Sequence, residues 1–320
     1  MADVSISVVS YVLNETPGKS ISWETAQRVR EAAAALRYTP NRIAQSMRLG
    51  RSNMIAFVSF WQMTEFVTQQ IMSGIYDVAR EAGYQMVFVC PRQPHDTADY
   101  IDLYLRNQID GMLLLEPFSY SRPGEALCQE AILRNRIPAV TINGPGTSSI
   151  PNIPISVEKT TYAAVNYFAR KGYRTIEYVT PNETEANFQF TISREKGYRR
   201  AMREAGLSER MYYTRELPAR LAARQDGETL ALVVSKSNYI GETLSAIRAA
   251  GLRIPEDVAI VVCSCEPNYL RNHVPSISYV RVPTYEIGQE SCRHLLSLIE
   301  GNPHHTGFIP EPEVREMESG

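Results

Sequence analysis

From residue 54 onward the chain alternates short apolar runs with longer stretches in which apolar residues recur every three or four positions. The apolar runs fall into two sets: MIAFVSF, YQMVFVC, DGMLLLE and IPAVTIN, then TIEYVT, TLALVVS, DVAIVVC and ISYVRV. Apolar residues follow one another in these runs instead of alternating with polar ones, which predicts strands covered on both faces and therefore parallel sheets. The intervening amphipathic segments, Met72 to Ala82, Thr97 to Asn107, Thr160 to Lys171, Ser193 to Ala205, Ile240 to Ala250 and Tyr285 to Glu300, predict helices. Several helices close at a glycine, in REAGY, ARKGY, REAGL and RAAGL, the residue that best tolerates a left-handed helix end. Strict alternation of strand and helix reads as βαβ units, and two groups of similar length predict an α/β protein with two doubly wound, parallel-sheet lobes. Ligands in such folds bind outside the carboxyl ends of the strands, here between the lobes.

The first 53 residues follow a helical pattern instead. In VSISVVSYVLN, Ile6, Ser7, Ser10 and Tyr11 share one side of a helical wheel, and Val8, Val9, Val12 and Leu13 occupy the other. One face is suited to packing and the other is left to be read. Ser5 is a suitable N-cap and Asn14 a suitable stop. A second helix is expected from a cap at Ser22, with Ala26, Val29, Ala33 and Leu36 on its core face. NRIAQSMRLG predicts a third, short helix from Asn41 to the stop at Gly50. The bland alternatives are an amphipathic element packing on the body for the first helix and a solvated linker for the third.

A chain of 320 residues suits two or three packed units. The formal net charge of -2 hides an asymmetry: residues 1–53 hold seven Lys/Arg against four acids, and the remainder 26 against 31. A small basic head on an acidic body fits a nucleic-acid contact at one end, although a solvated helix face can show the same balance. The five cysteines are scattered and odd in number, which argues against a disulfide framework. Without a secretion signal or a membrane-length apolar run, the expected location is cytoplasmic, with no membrane partner.

The ordered series VSISVVSYVLN, SWETAQRVREAAAALRYTPNRIAQSMRLGRSNMIAFV, GIYDVAREAGYQMVFV, IDGMLLLEP, SREKGYRRAMREAGL, RAAGLRIPEDVAIV and VPSISYVRVPTYEIGQESCRHLLSLIEG resembles the LacI/GalR family of bacterial transcription repressors along essentially the whole chain. The resemblance implies a homodimer with a helix-turn-helix head, a hinge helix and a two-lobed effector domain of periplasmic-binding-protein-like type. It makes the opening stretch the recognition helix, with the motif's first helix missing. The expected division is a partial helix-turn-helix head at 1–40, a hinge helix and linker at 41–53, and an effector-binding and dimerisation domain at 54–320. Its N-lobe is expected at about 54–152 plus 284–303 and its C-lobe at about 155–281 plus about 307–320. The second helix alone is then left to cover the packing face of the first, which predicts a destabilised head.

By the same resemblance, Ile6, Ser7 and Tyr11 stand at base-reading positions. Ile6 suits a thymine methyl, and the two hydroxyls donate or accept at base edges. Ser5, Ser10, Arg28, Asn41 and Arg42 are expected at phosphates, which position without specifying sequence. Met47 falls where the family usually has leucine, as a flexible minor-groove wedge. Arg194, just before EKGY, matches the family's ligand-binding arginine, whose planar fork of donors suits hydroxyls, carboxylates or phosphates. Trp61 and Phe66, in the loop after the first strand, are candidates for a stacking surface or for plain packing. Lys236 and Ser237 replace a common Asn-Asp pair, and Ser264 stands where an acid is common; Glu65 and Glu116 could restore the missing acceptors. The expected partners are therefore an operator duplex and a sugar or related metabolite, with the lost acids shifting the expectation toward an anion.

Other signals carry less. ETPGKS lacks the first glycine and the strand of a phosphate loop, CSC has no second cysteine pair at metal spacing, and His304 and His305 sit in a crossing segment. With no nucleophile and base at supporting spacing, the chain is expected to be neither an enzyme nor a holder of a cofactor or metal. The rival reading is a cytosolic small-molecule-binding protein that has lost DNA binding through N-terminal truncation.

Overall fold

The computed structural model describes residues 3–13, 18–36, 38, 50–59, 65–91, 98–115, 125–144, 149–180, 188–225, 227, 229–263, 267–302 and 307–320. The head contains α1 (Ile6–Leu13) and α2 (Trp23–Ala35). The first α/β unit runs β1 (Met54–Ser59), α3 (Phe66–Glu81), β2 (Gln85–Val89), α4 (Ala98–Leu105), β3 (Gly111–Leu115), α5 (Glu125–Arg134), β4 (Ala139–Ile142) and β5 (Asn152–Ile153). The second runs α6 (Val157–Arg170), β6 (Thr175–Thr180), α7 (Phe188–Glu204), β7 (Met211–Tyr213), α8 (Leu217–Ala222), β8 (Leu230–Val234), α9 (Ile240–Ala249), β9 (Val258–Val262), α10 (Pro267–Arg271) and β10 (Ser278–Arg281). The chain then returns to the first unit as α11 (Thr284–Glu300) and ends on the second with β11 (Glu313–Arg315).

Two sheets result, ordered β2-β1-β3-β4-β5 and β11-β10-β9-β8-β6-β7. Every strand pair is parallel except β10 with β11. The continuous apolar runs are explained by burial on both faces. In the first sheet Ile55, Phe57, Leu113 and Leu115 pack under α3 and α11, while Ala56, Val58, Met112 and Leu114 meet Tyr100, Ile101 and Ile132 from α4 and α5 on the other side. In the second, Leu230, Leu232 and Val234 lie with α8 and α9, and Ala231 and Val233 with α6 and α7. Successive side chains point to opposite faces, so a central strand is apolar at most positions on both.

The glycine-terminated helices end as expected, with Gly83 at φ 78° and Gly172 at φ 91°. One boundary differs in a way that matters for the site. The helix expected from Met72 begins six residues earlier, and Phe66, read as a loop residue, is its first residue. Thr68 and Ile71 are buried and continue the stripe of Ile75 and Val78, which carries the helix back toward β1. A buried ion pair also lies in the second lobe: Glu177 of β6 is 0% exposed and accepts from Arg220 of α8 through Nη2 at 2.7 Å and Nε at 2.8 Å. No helix among the described residues is long and apolar enough to cross a membrane.

Candidate DNA-reading head and ligand cleft

Helix α1 is capped and two-faced. The Ser5 hydroxyl accepts from the Val8 backbone N–H at 3.3 Å, satisfying one of the donors a helix start leaves free. Val12 is buried and packs toward α2, where Val29 is buried in turn. Val8, Val9 and Leu13 are half-buried. On the opposite side Ile6 is 89% exposed, Ser7 is exposed, and Ser10 and Tyr11 are half-buried. Ile6 therefore forgoes burial worth about 1.5–3 kcal/mol. Ser22 caps α2 by accepting from the Thr25 N–H at 3.3 Å, and Arg28 lies exposed on that helix.

Sequence reading did not anticipate Lys19, whose Nζ stands 5.2 Å from the centre of the Tyr11 ring, within cation–π distance. Its ammonium adds positive charge beside Tyr11. Asn41, Arg42 and Met47 lie outside the described residues.

In the second lobe Arg194 is carried by α7, which is locked against α6. Thr161 Oγ1 donates to the Arg194 carbonyl at 2.6 Å. At Gly197 a Cβ would stand 2.0 Å from the Glu158 carbonyl oxygen, so no larger residue allows this approach. The Arg194 charge is felt at Tyr178 of β6 and at Cys263, just past the end of β9. Burial pushes both groups up, the Cys263 thiol to about 12, and the guanidinium partly offsets each rise. A cation thus stands near β6 and the end of β9, two strands of the lobe with β8 between them, toward the region where doubly wound sheets take ligands.

Ser237 is buried in a 3-10 turn, Ser237–Tyr239, that follows β8, with half-buried Lys236 before it. Across the fold, at the end of β4, Asn143 takes φ 62° and its buried Nδ2 has no hydrogen-bond partner among the described residues. An unsatisfied buried donor costs about 1–3 kcal/mol, so one at a strand's carboxyl end suits a ligand acceptor. Nothing in the sequence had singled out Asn143.

Phe66 borders another cavity, beside β10 and β11, which neither Arg194 nor Ser237 lines. Trp61, Glu116 and Ser264 lie outside the described residues. Among the described residues there is no group of three or more His, Cys, Asp or Glu able to hold a metal ion.

Comparison with known proteins gives a consistent result at both ends of the chain. Residues 1–41 match the model for bacterial regulatory proteins of the lacI family, and residues 165–319 match a periplasmic binding protein-like domain. The transcriptional repressor PurR of Vibrio cholerae serotype O1 (strain M66-2) is 24% identical over 331 residues, spanning 100% of this chain and 95% of that protein. PurR of Vibrio vulnificus (strain CMCP6) is likewise 24% identical, over 99% of this chain and 96% of its own length. Among solved structures, the Lac repressor dimer bound to operator and the anti-inducer ONPF superposes with a TM-score of 0.75 at 20% identity, covering 99% of this chain and 96% of that one. The complex of the transcriptional regulator CelR with cellobiose gives a TM-score of 0.64 at 23% identity, covering 100% and 97%. With the capped, outward-reading helix at one end and the two doubly wound lobes behind it, these matches establish that the chain belongs to the LacI family of bacterial regulatory proteins.

Proposed function

We propose that the protein is a homodimeric transcriptional repressor whose affinity for an operator is set by a small molecule bound between its two lobes. The observation that carries this reading is the coupling, in one chain, of an outward-facing capped helix to two lobes with a cation near the carboxyl ends of the second lobe's strands. The named relatives support it: PurR is a transcriptional repressor, the Lac repressor structure holds operator, and the CelR structure holds cellobiose.

In this reading α1 enters the major groove, with Ile6 against a thymine methyl and Ser7 and Tyr11 at base edges. Ser5, Ser10, Arg28, Asn41 and Arg42 hold phosphates and set the register. Met47 serves as the minor-groove wedge of a hinge helix within 41–53, between a head at 1–40 and the effector domain at 54–320. In the cleft Arg194 and Ser237 bind the effector, with Trp61, Glu116 and Ser264 contributing. Arg194 and Lys236 favour an effector with an anionic or acceptor-rich group. Closing the lobes on that ligand shifts each protomer against its partner and changes the spacing of the two heads. The work is binding, not catalysis, and takes place in the cytoplasm with the DNA.

The test is a titration of labelled duplexes from the region upstream of the protein's own gene, against a scrambled duplex, between 50 and 200 mM salt. We expect a preferred duplex whose affinity falls by roughly 10³-fold or more across that range, because neutralised phosphates release counterions. Equal binding to every duplex, or none at any salt, contradicts the repressor reading and leaves a ligand-binding protein.

A further inference from the structure

Away from Arg194, the edge of the six-stranded sheet holds a cavity of about 330 Å³. Three arginines from three elements border it: Arg271 at the end of α10, Arg281 at the end of β10 and Arg315 at the end of β11. The facing wall belongs to the other lobe, with Phe66 from the start of α3 and Tyr285 from the start of α11. A molecule seated here touches both lobes.

The three cations differ in how they are compensated. Arg281 is paired with Glu286 and Arg315 with Glu313. Arg271 has no carboxylate within ion-pair distance among the described residues; its Nη2 donates to the Tyr279 hydroxyl at 3.5 Å. Tyr279 is itself 4% exposed, so that hydroxyl is held in the cavity wall. The two helices of the facing wall both begin without a side-chain cap, at Glu65 for α3 and Pro283 for α11. Their first-turn N–H groups and positive dipole ends reinforce the field of Arg271. Aromatic rings supply the apolar part of the lining, and the volume lies at the small end of the range for ligand pockets.

We infer that this cavity is a second ligand site, which takes a small organic anion, a phosphate ester or a carboxylate, with its charged group on Arg271 and its apolar body against Phe66 and Tyr285. An arginine presents a planar fork that matches either anion through two parallel hydrogen bonds. Neither Arg194 nor Ser237 lines this cavity.

Calorimetric titration of the full chain at fixed ionic strength tests this with three probes: phenyl phosphate, benzoate and, as a neutral control, phenol. At least one anion should bind and phenol should not. Arg271→Ala should weaken the anion tenfold or more, and Arg271→Lys should retain part of the affinity. The exposed position of Arg271 means that the thermal unfolding of both variants should match that of the unsubstituted protein. No binding of either anion, equal binding of phenol, or undiminished binding to Arg271→Ala overturns the inference. So does loss of binding in Arg194→Ala with retention in Arg271→Ala, which would place the anion in the cleft.

Discussion

Gly288→Ala is expected to destabilise the protein by about 2–3 kcal/mol, although alanine is the better helix former. Helices α3 and α11 cross with their backbones in contact. A Cβ at Gly288 would lie 2.1 Å from the Ile71 carbonyl oxygen, and one at Gly74 would lie 2.1 Å from that of Tyr285. Neither obstacle is a side-chain end that could swing away, so the helices must separate. Overpacking of this kind costs about 1–3 kcal/mol and occasionally more, against a propensity gain near 1 kcal/mol. Because α3 and α11 form one cover of the five-stranded sheet, their separation also loosens the packing of Ile75, Ile287 and Leu295. Gly241→Ala is the control: it lies in helix α9 with nothing among the described residues within 4 Å of its added Cβ, and should be neutral or gain up to about 1 kcal/mol. Denaturant unfolding of the two variants side by side checks the pair; equal effects would show that the close crossing is not what the glycines serve.

Arg220→Met is the second large effect, at about 3–5 kcal/mol. Removing one partner of a buried pair leaves the other charge without its counter-ion, and the Glu177 side chain is 0% exposed with that of Arg220 at 10%. The remaining arginine, Arg210, is 3.6 Å away and half outside, so it compensates only in part. The double substitution Glu177→Leu with Arg220→Met should recover most of the loss, since a well-packed apolar pair of similar volume is often as stable as a buried ion pair. Unfolding free energies of the single and double variants form the cycle; a double variant no better than Arg220→Met alone would mean that packing by the arginine stem is what matters.

The parts of the fold legible in the sequence are those where burial is two-sided. The interior strands appear as mostly apolar runs because nearly every position in them is buried, with Glu177 of β6 and Arg281 of β10 the charged exceptions. The strands that escaped, Asn152–Ile153, Met211–Tyr213 and Glu313–Arg315, are all at sheet edges and only two or three residues long. With half their surroundings missing they need no apolar pattern. The caps at Ser5 and Ser22 were legible because capping is local, set by a side chain and an N–H three residues on.

Site residues were legible to a different degree. Arg194 stood out through the family resemblance, since an arginine on an amphipathic helix looks like any solvated one until α7 is docked on β6. Phe66 was misplaced by a helix boundary, and its neighbours could not be foreseen. Arg271, Arg281 and Arg315 come together only through the pairing of β10 with β9 and with the antiparallel β11, a non-local event with no local signature. Glu177 and Arg220 met in the same way.

The central claim is that one chain couples a small molecule in the cleft to a duplex at the head. The direct measurement is fluorescence anisotropy of the preferred duplex, with and without the metabolite that most raises the melting temperature in a panel of sugars, sugar acids and sugar phosphates. That metabolite should change the duplex Kd by about 5- to 150-fold, the usual range of allosteric coupling. In Arg194→Ala the duplex affinity without metabolite should be retained, while the metabolite binds roughly ten- to a hundredfold more weakly, as expected for a lost hydrogen bond to a charged group. A metabolite that binds tightly yet leaves the duplex Kd unchanged would contradict the account.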